Sequence, residues 1–249
     1  MDVGDAALLF GAAFAGGTLN SVAGGGSFLT FPSLVFTGAD SVVANATSSV
    51  ALWPGSIASA LGYREELKAE AANLRWLAAL SALGGLIGSL TLIATPTSIF
   101  DTLVPYLMLV ATLVFTFGEK LRAQAKSAEP SRPLVMGAQL LISIYGGYFG
   151  GGMGLMMLAA FTLLGMTQLH RMNALKSGLG VLINGIAVAI FVISGKIAWA
   201  PAAVMVVGAV LGGFGGASLA RRVGPSRVRP VVIAIGWAMT TAFFVKTFA

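Results

Sequence analysis

Two glycine runs interrupt long apolar stretches of the sequence. The first is Gly24-Gly25-Gly26, directly followed by Ser27, and the second is Gly150-Gly151-Gly152. A break in a membrane helix exposes backbone N–H groups at the start of the next half-helix, where the helix dipole favours negative charge. Breaks at corresponding positions of two halves are typical of a transport site. The runs therefore predict a substrate-binding site for a small anion, to which the Ser27 hydroxyl adds a donor. The alternative is that the glycines only permit tight helix packing.

A second polar motif follows each glycine run, an Asn-Ala pair with a serine four residues after the asparagine. It reads Asn45-Ala46-Thr47-Ser48-Ser49 in the first half and Asn173-Ala174-Leu175-Lys176-Ser177 in the second. Amide and hydroxyl groups can donate to an oxyanion without adding charge. N-capping and hydrogen bonding between helices are the alternatives. The motif predicts these further substrate-binding residues, with the two asparagines first among them and Asn20 and Asn184 as second candidates: Asn45, Ser48, Ser49, Asn173 and Ser177.

Lys176 is a basic residue within a predicted membrane span. A cation in a membrane helix is costly and usually functional unless its side chain extends to the interface. Lys176 therefore either attracts the anion or reaches to the headgroup region. His170, the only histidine of the chain, precedes the same helix. It could titrate near neutral pH, which makes it a candidate proton-linked group, although a loop histidine is more often only solvated.

The composition is that of a polytopic membrane protein. Apolar residues make up 57% of the 249 residues, charged residues 10%, and the mean hydropathy is +0.89. A soluble domain carries about 25% charged residues. The net charge of +6 comes from basic residues in short loops between apolar spans, which indicates a lipid bilayer rather than a nucleic acid as the partner.

Acidic residues are placed in a way that argues against several functions. None follows Glu129, and all nine lie in predicted loops or at their edges. Cation carriers and carboxylate proton relays place acids within the membrane. The spans also hold no nucleophile–base pair, no paired carboxylates and no metal-ligand cluster. We therefore expect an anionic solute, no enzymatic activity, no cofactor and no metal.

The apolar segments predict an all-α protein built from two inverted-topology repeats of about five helical segments each. The segment after each glycine run is too short for an easy full span, so it either re-enters the membrane or crosses with a tilt. The predicted units are a first repeat at 1–118, a basic linker at 119–133 and a second repeat at 134–249. The predicted segments are 6–23, 28–36, 42–63, 76–94, 103–118, 134–149, 153–166, 172–194, 199–219 and 231–247.

The repeat and the orientation can both be checked along the sequence. Asn45 and Asn173 are 128 positions apart, as are Ser49 and Ser177, whereas the glycine runs are 126 apart. Most Lys and Arg residues lie in the predicted loops 64–75, 119–133, 167–171 and 221–230, and only Lys196 and Lys246 lie opposite. The basic side should be cytoplasmic. Both termini are then expected outside the cell membrane, and the second repeat is inverted.

These motifs, in their order, resemble the TauE/SafE family of sulfite and sulfoacetate exporters, and within it the YfcA-like membrane proteins. The resemblance runs from about Gly11 to Phe244. It implies an all-helical inner-membrane carrier of small organosulfur or sulfur-oxo anions. The matching pieces are 21–27 running into Phe31-Pro32, 45–49, Gly55-Ser56-Ile57, 148–152, 173–177 and 195–199.

The predicted function is therefore alternating-access transport, most simply export, of sulfite or another sulfur oxyanion across the inner membrane. An anion channel and a non-transporting accessory subunit remain the alternatives. Glycines spaced four apart at Gly84 and Gly88, and at Gly208, Gly212 and Gly216, predict a small-residue helix face. This face packs one half against the other, or one protomer against a second in a homodimer.

Overall fold

The computed structural model describes residues 1–22, 25–125, 131–223 and 225–248, which form helices and no strand. The all-α expectation is confirmed for these residues. The helices are α1 Val3–Val22, α2 Ser27–Phe36, α3 Ser41–Gly62, α4 Arg64–Ala69, α5 Ala71–Ala94, α6 Thr97–Ala125, α7 Arg132–Tyr148, α8 Met153–Thr162, α9 Leu169–Ile193, α10 Trp199–Val223 and α11 Pro225–Phe248.

Both predicted glycine breaks are present, and a short helix follows each one. The helices α2 and α8 have 10 residues each, which gives about 15 Å at 1.5 Å per residue. This is about half of a 30 Å hydrocarbon core. At the second break Gly150 and Gly152 have φ of +81° and +76°, a left-handed conformation that glycine adopts without steric cost. At the first break Gly24 lies outside the described residues.

The first long polar segment folds into helices rather than the predicted charged loop. Residues 64–75 form α4 and the first turn of α5. Glu70, between the two helices, is buried and binds Arg171 at the start of α9, with 3.3 Å from Nη1 to Oε1. The pair fixes the α4–α5 junction against α9.

The other predicted basic loops are also largely helical. In the linker predicted at 119–133, α6 continues to Ala125 and α7 begins at Arg132, while residues 126–130 lie outside the described chain. In the loop predicted at 221–230, α10 runs to Val223 and α11 starts at Pro225. Lys, Arg, Ala and Gln favour helix, so these helices continue where the apolar pattern stops. Acids placed in loops by the sequence analysis, such as Asp101, accordingly lie within helices.

Three helical stretches among the described residues are long and apolar enough to cross a membrane by themselves. Four shorter apolar stretches accompany them, two of which are α2 and α8. These helices are consistent with a multi-pass membrane protein, although fewer of them qualify as full spans than the ten predicted segments imply. The three are 71–94, 97–118 and 170–193.

Glycines allow the two halves to pack closely. The most extensive helix pairings are α1 with α10 and α5 with α7, each joining the first half to the second. A Cβ added at Gly212 would overlap the backbone carbonyl of Phe14, and one added at Gly88 would overlap that of Ile144. Of the two alternatives given for the small-residue faces, packing of one half against the other is the one observed at these positions.

Several helix starts and contacts of the two halves share one offset in the sequence. Helices α3, α5 and α6 start 128 positions before α9, α10 and α11 (41 and 169, 71 and 199, 97 and 225). Two hydrogen bonds join residues separated by that same offset. The hydroxyls of Thr112 and Thr240 are 3.0 Å apart, and Trp53 Nε1 donates to the carbonyl of Val181 at 3.1 Å. Both bonds join helices whose starts share this offset, α6 with α11 and α3 with α9.

Candidate functional site

A cavity of about 660 Å³ lies between the two halves. Helices α1, α2 and α3 of the first half and α8, α9 and α10 of the second form its walls. Its exposed wall residues include Gly62 and His170, beside the basic segments at 64–75 and 167–171. The cavity therefore reaches the basic side of the molecule.

The starts of both short helices border this cavity. Ser27 begins α2, Met153 and Gly154 begin α8, and Gly150 of the second break also lies in the wall. A helix N-terminus carries the positive end of its dipole, although some N–H groups here are already bonded, Phe28 N to the Gly25 carbonyl and Met153 N to the Gly150 carbonyl. Two such ends around one cavity can stabilise an anion without a charged side chain.

Lys176 lies in the same wall and adds a formal positive charge. Its Cγ and Cδ atoms contact the position of Gly154, where an added Cβ would lie 3.1 Å from Cδ. The glycine makes room for the lysine stem over the first turn of α8. Within the described part of the chain Lys176 has no carboxylate partner, whereas Arg171 is paired with Glu70.

Serine hydroxyls from both halves complete the polar wall. Ser59 of α3 and Ser177 of α9 are 3.1 Å apart, oxygen to oxygen, and both line the cavity together with Ser49 and Ser56. The sequence analysis missed Ser56 and Ser59 as site residues. A signal was available, because residues 49, 52, 56, 59 and 63 recur at intervals of three and four and share one face of a helix.

The structure divides the predicted site residues into two groups. In the cavity wall it places Ser27, Ser49, Gly150, His170, Lys176 and Ser177, with the second candidates Asn20 and Asn184. Outside the wall are Gly25, Gly26, Asn45, Ser48, Gly151, Gly152 and Asn173. Gly24 lies outside the described residues.

The buried members of the second group have protein partners. Asn45 is 2% exposed, and its Nδ2 donates to the carbonyl of Tyr148 at 2.9 Å, at the C-terminal end of α7. Ser48 lies 2.6 Å from the Thr30 hydroxyl. Their geometry in this structure is that of hydrogen bonding between helices, the alternative considered for them.

Replacing Asn45 by alanine is expected to lower stability more than a change in the cavity wall does. The change leaves the Tyr148 carbonyl without its side-chain donor in an apolar environment, a loss of about 1–3 kcal/mol. Ser49→Ala is the matched control, because Ser49 bonds only within α3, to the Asn45 carbonyl at 2.9 Å. Thermal unfolding of the detergent-solubilised proteins measures the difference. Equal midpoints for the two variants would contradict the structural role of Asn45.

Aromatic rings pack together beside the cavity, next to the second glycine break. We call Phe31, Phe100, Tyr148, Phe149 and Phe243 the aromatic cluster. Phe31 is fully buried, and its ring centroid lies 5.6 Å from that of Phe149 and 5.5 Å from that of Phe243. Phe149 is part of both the aromatic cluster and the cavity wall. The cluster therefore borders the cavity at the second glycine break.

Comparison with known proteins identifies the group to which this arrangement belongs. The sequence profile described as "Sulfite exporter TauE/SafE" matches residues 9–243. The chain belongs to the TauE/SafE family. The family resemblance read from the glycine and Asn-Ala motifs is therefore confirmed.

Relatives in the TauE/SafE family carry transporter names. A protein of Haemophilus influenzae named "Probable membrane transporter protein" is 32% identical, covering 96% of this chain and 95% of that protein. The "Probable membrane transporter protein YfcA" of Escherichia coli K12 is 26% identical over 94% of this chain and 87% of its own. "Probable membrane transporter protein ORF9" of a Sinorhizobium species is also 26% identical, over 94% and 90%. No solved structure gives a significant match.

Proposed function

We propose that this membrane transporter is an alternating-access carrier of a small anion, with sulfite or another sulfur oxyanion as the first candidate and export as the direction. The observation that carries the proposal is one cavity bordered by Ser27, Gly154 and Lys176. The two helix starts and the lysine all favour negative charge. The family description, which names sulfite export, supports the sulfur oxyanion.

The same proposal includes two inverted repeats that rock against each other. Reciprocal packing supports it, since α1 pairs with α10 as α7 pairs with α5, and equivalent residues meet at Thr112 and Thr240. Reciprocal contacts of this kind arise around a twofold axis. We further propose that the basic side faces the cytoplasm of a cell with an inner membrane, with both termini outside.

A carrier agrees better with the cavity than an open channel does. The cavity reaches the basic side, and at Phe149 it borders the aromatic cluster, in which Phe31 and Phe100 are fully buried. We propose that this cluster closes the end away from the basic side. A conducting channel needs a path through both ends. A carrier needs only one open end at a time, so the sealed end supports alternating access. An accessory subunit without transport activity predicts no flux by the purified protein.

Purified protein in liposomes is expected to show saturable flux of labelled sulfite, inhibited by sulfoacetate and less by lactate. Lys176→Met keeps the length of the side chain and removes the charge. Because a hydrogen bond to a charged group contributes about 1.5–3 kcal/mol, the flux at low substrate should fall about 10- to 100-fold. Lys196→Met is the matched control, since Lys196 is exposed at the opposite side.

Two outcomes would overturn parts of the proposal. Absence of any anion flux by folded wild-type protein would favour the accessory subunit. Full flux in Lys176→Met would keep the carrier and remove Lys176 from the binding site.

A further inference from the structure

We propose that Lys176 makes this carrier an anion exchanger, in which the loaded form crosses readily and the empty form returns slowly. This inference rests on the proposed transport function, and it adds that transport occurs by exchange of one anion for another. Neither the family description nor the names of the relatives speak to exchange.

Lys176 lies well inside the helix bundle. It is the eighth residue of α9, about 10 Å along the helix from its first residue at 1.5 Å per residue. Its stem runs across the first turn of α8 at Gly154. The charge therefore belongs to the cavity between the halves rather than to the exposed surface that holds His170.

The surroundings of Lys176 contain no described counter-charge. The cavity wall contributes serine, asparagine and glycine from α3, α8 and α9, with Tyr63 and His170 at its exposed end, and no Asp or Glu. Glu70, the buried acid of the described chain, is already paired with Arg171. The lysine charge is thus balanced by water while the cavity is open and by a bound anion when one is present.

The charge also occurs in only one of the two halves. The position 128 residues before Lys176 is Ser48, which is buried and bonded to Thr30 at 2.6 Å. The reciprocal arrangement therefore does not bring a second charged group to the cavity. A bound anion therefore meets one formal positive charge, that of Lys176, beside the two helix starts.

In an alternating-access cycle, the unpaired charge of Lys176 decides which form of the carrier can pass through the closed state. To expose the cavity on the other side, the protein must close its open end and exclude water from around Lys176. An unpaired charge is costly in such an environment, whereas a paired and hydrogen-bonded charge costs much less. The loaded carrier can pass through the closed state, while the empty carrier retains an uncompensated cation and crosses slowly.

The experiment compares two modes of flux in the same proteoliposomes of wild-type protein. Vesicles are loaded with labelled sulfite and diluted either into buffer with unlabelled sulfite, which allows exchange, or into buffer with an impermeant anion, which allows only net efflux. Wild-type exchange should exceed net efflux at least about tenfold, equivalent to 1.4 kcal/mol between the two crossings. Protein-free vesicles give the leak, and Lys196→Met is the matched control with the wild-type ratio.

The variants of Lys176 then test whether this residue sets the ratio. Lys176→Arg retains the charge and should keep the advantage of exchange. In Lys176→Met and Lys176→Gln the remaining flux should be equal in both modes, because the empty carrier no longer holds a cation. The methionine and glutamine variants can also lose flux in both modes while the arginine variant keeps it. The cation is then needed for the loaded carrier to cross, and the wild-type ratio of exchange to net efflux decides the proposal.

The outcomes separate this inference from the function on which it rests. Wild-type net efflux as fast as exchange, as expected if an empty carrier returns after Lys176 releases its proton, would overturn exchange and leave the anion carrier standing. An exchange advantage that persists in Lys176→Met would overturn the role of Lys176. Absence of wild-type flux in both modes would refute the transport function itself.

Discussion

Replacing Gly212 by alanine is expected to prevent assembly of a stable fold, whereas replacing its neighbour Gly213 leaves the fold intact. A Cβ at Gly212 would overlap the carbonyl oxygen of Phe14 in α1, while a Cβ at Gly213 meets no atom within 4 Å. The obstacle at Gly212 is backbone, which cannot move aside as the end of a flexible side chain can. Helices α1 and α10 would have to separate along their most extensive contact.

The expected effect is large because the whole interface depends on this close approach. Overpacking of a well-packed core costs about 1–3 kcal/mol, and more when backbone must shift. Yield of monodisperse protein in mild detergent and its thermal unfolding midpoint measure the effect. Gly213→Ala makes the same chemical change one residue along the same helix, so it controls for helix propensity. Equal yield and midpoint for the two variants would contradict the packing of α1 on α10.

Features that depend on local sequence could be predicted. The apolar stretches predicted the helices. The glycine runs predicted both breaks, because the apolar segment of about 10 residues after each run is too short to span the membrane by itself. The small-residue spacing of Gly84 and Gly88 correctly indicated close packing between halves. Lys176 could be singled out because a charge within an apolar helix needs a reason.

Features that depend on tertiary partners could not be predicted in the same way. Asn45 and Asn173 carry the same motif, but neither lines the cavity, and the Asn45 amide donates to the Tyr148 carbonyl instead. Which carbonyl lies within reach of Asn45 depends on where the C-terminal end of α7 comes near α3 in the folded chain, and nothing in the motif specifies it. Ser59 was overlooked because it stands outside the motif, although it shares a helix face with Ser49.

The helix ends were the least predictable part of the fold. Basic residues were assigned to loops because charge marks the edge of the membrane. Charge limits where a segment can be buried, but Lys and Arg themselves favour helix. Helices α6, α10 and α11 therefore continue into segments that the hydropathy pattern assigned to loops, such as Arg221 and Arg222. Hydropathy indicates where a segment can lie in the membrane, whereas helix propensity indicates whether it stays helical beyond that point.

Replacing Phe31 by alanine is expected to open the sealed end of the cavity. Phe31 is fully buried, and it contacts the rings of Phe149, Phe243 and Phe100 at centroid distances of 5.6, 5.5 and 6.5 Å. Removing it leaves a void at the centre of the aromatic cluster. Phe36→Ala is the matched control, because Phe36 ends the same helix and is 61% exposed, so its loss leaves the seal unchanged.

The absence of cysteine from the chain allows a direct measurement of this opening. A cysteine introduced at Ser49, in the cavity wall, is the only thiol, and a membrane-impermeant reagent reports from which side it can be reached. Reagent on the cytoplasmic side should label it readily in every background. Reagent on the outer side should label it at least about tenfold faster with Phe31→Ala than with Phe36→Ala or the intact cluster. A tenfold change corresponds to about 1.4 kcal/mol less free energy holding that end closed.

Equal outer labelling in all three would show that the cluster is not the seal. Faster labelling from outside with the cluster intact would reverse the proposed orientation, because the open end of the cavity would then face away from the cytoplasm.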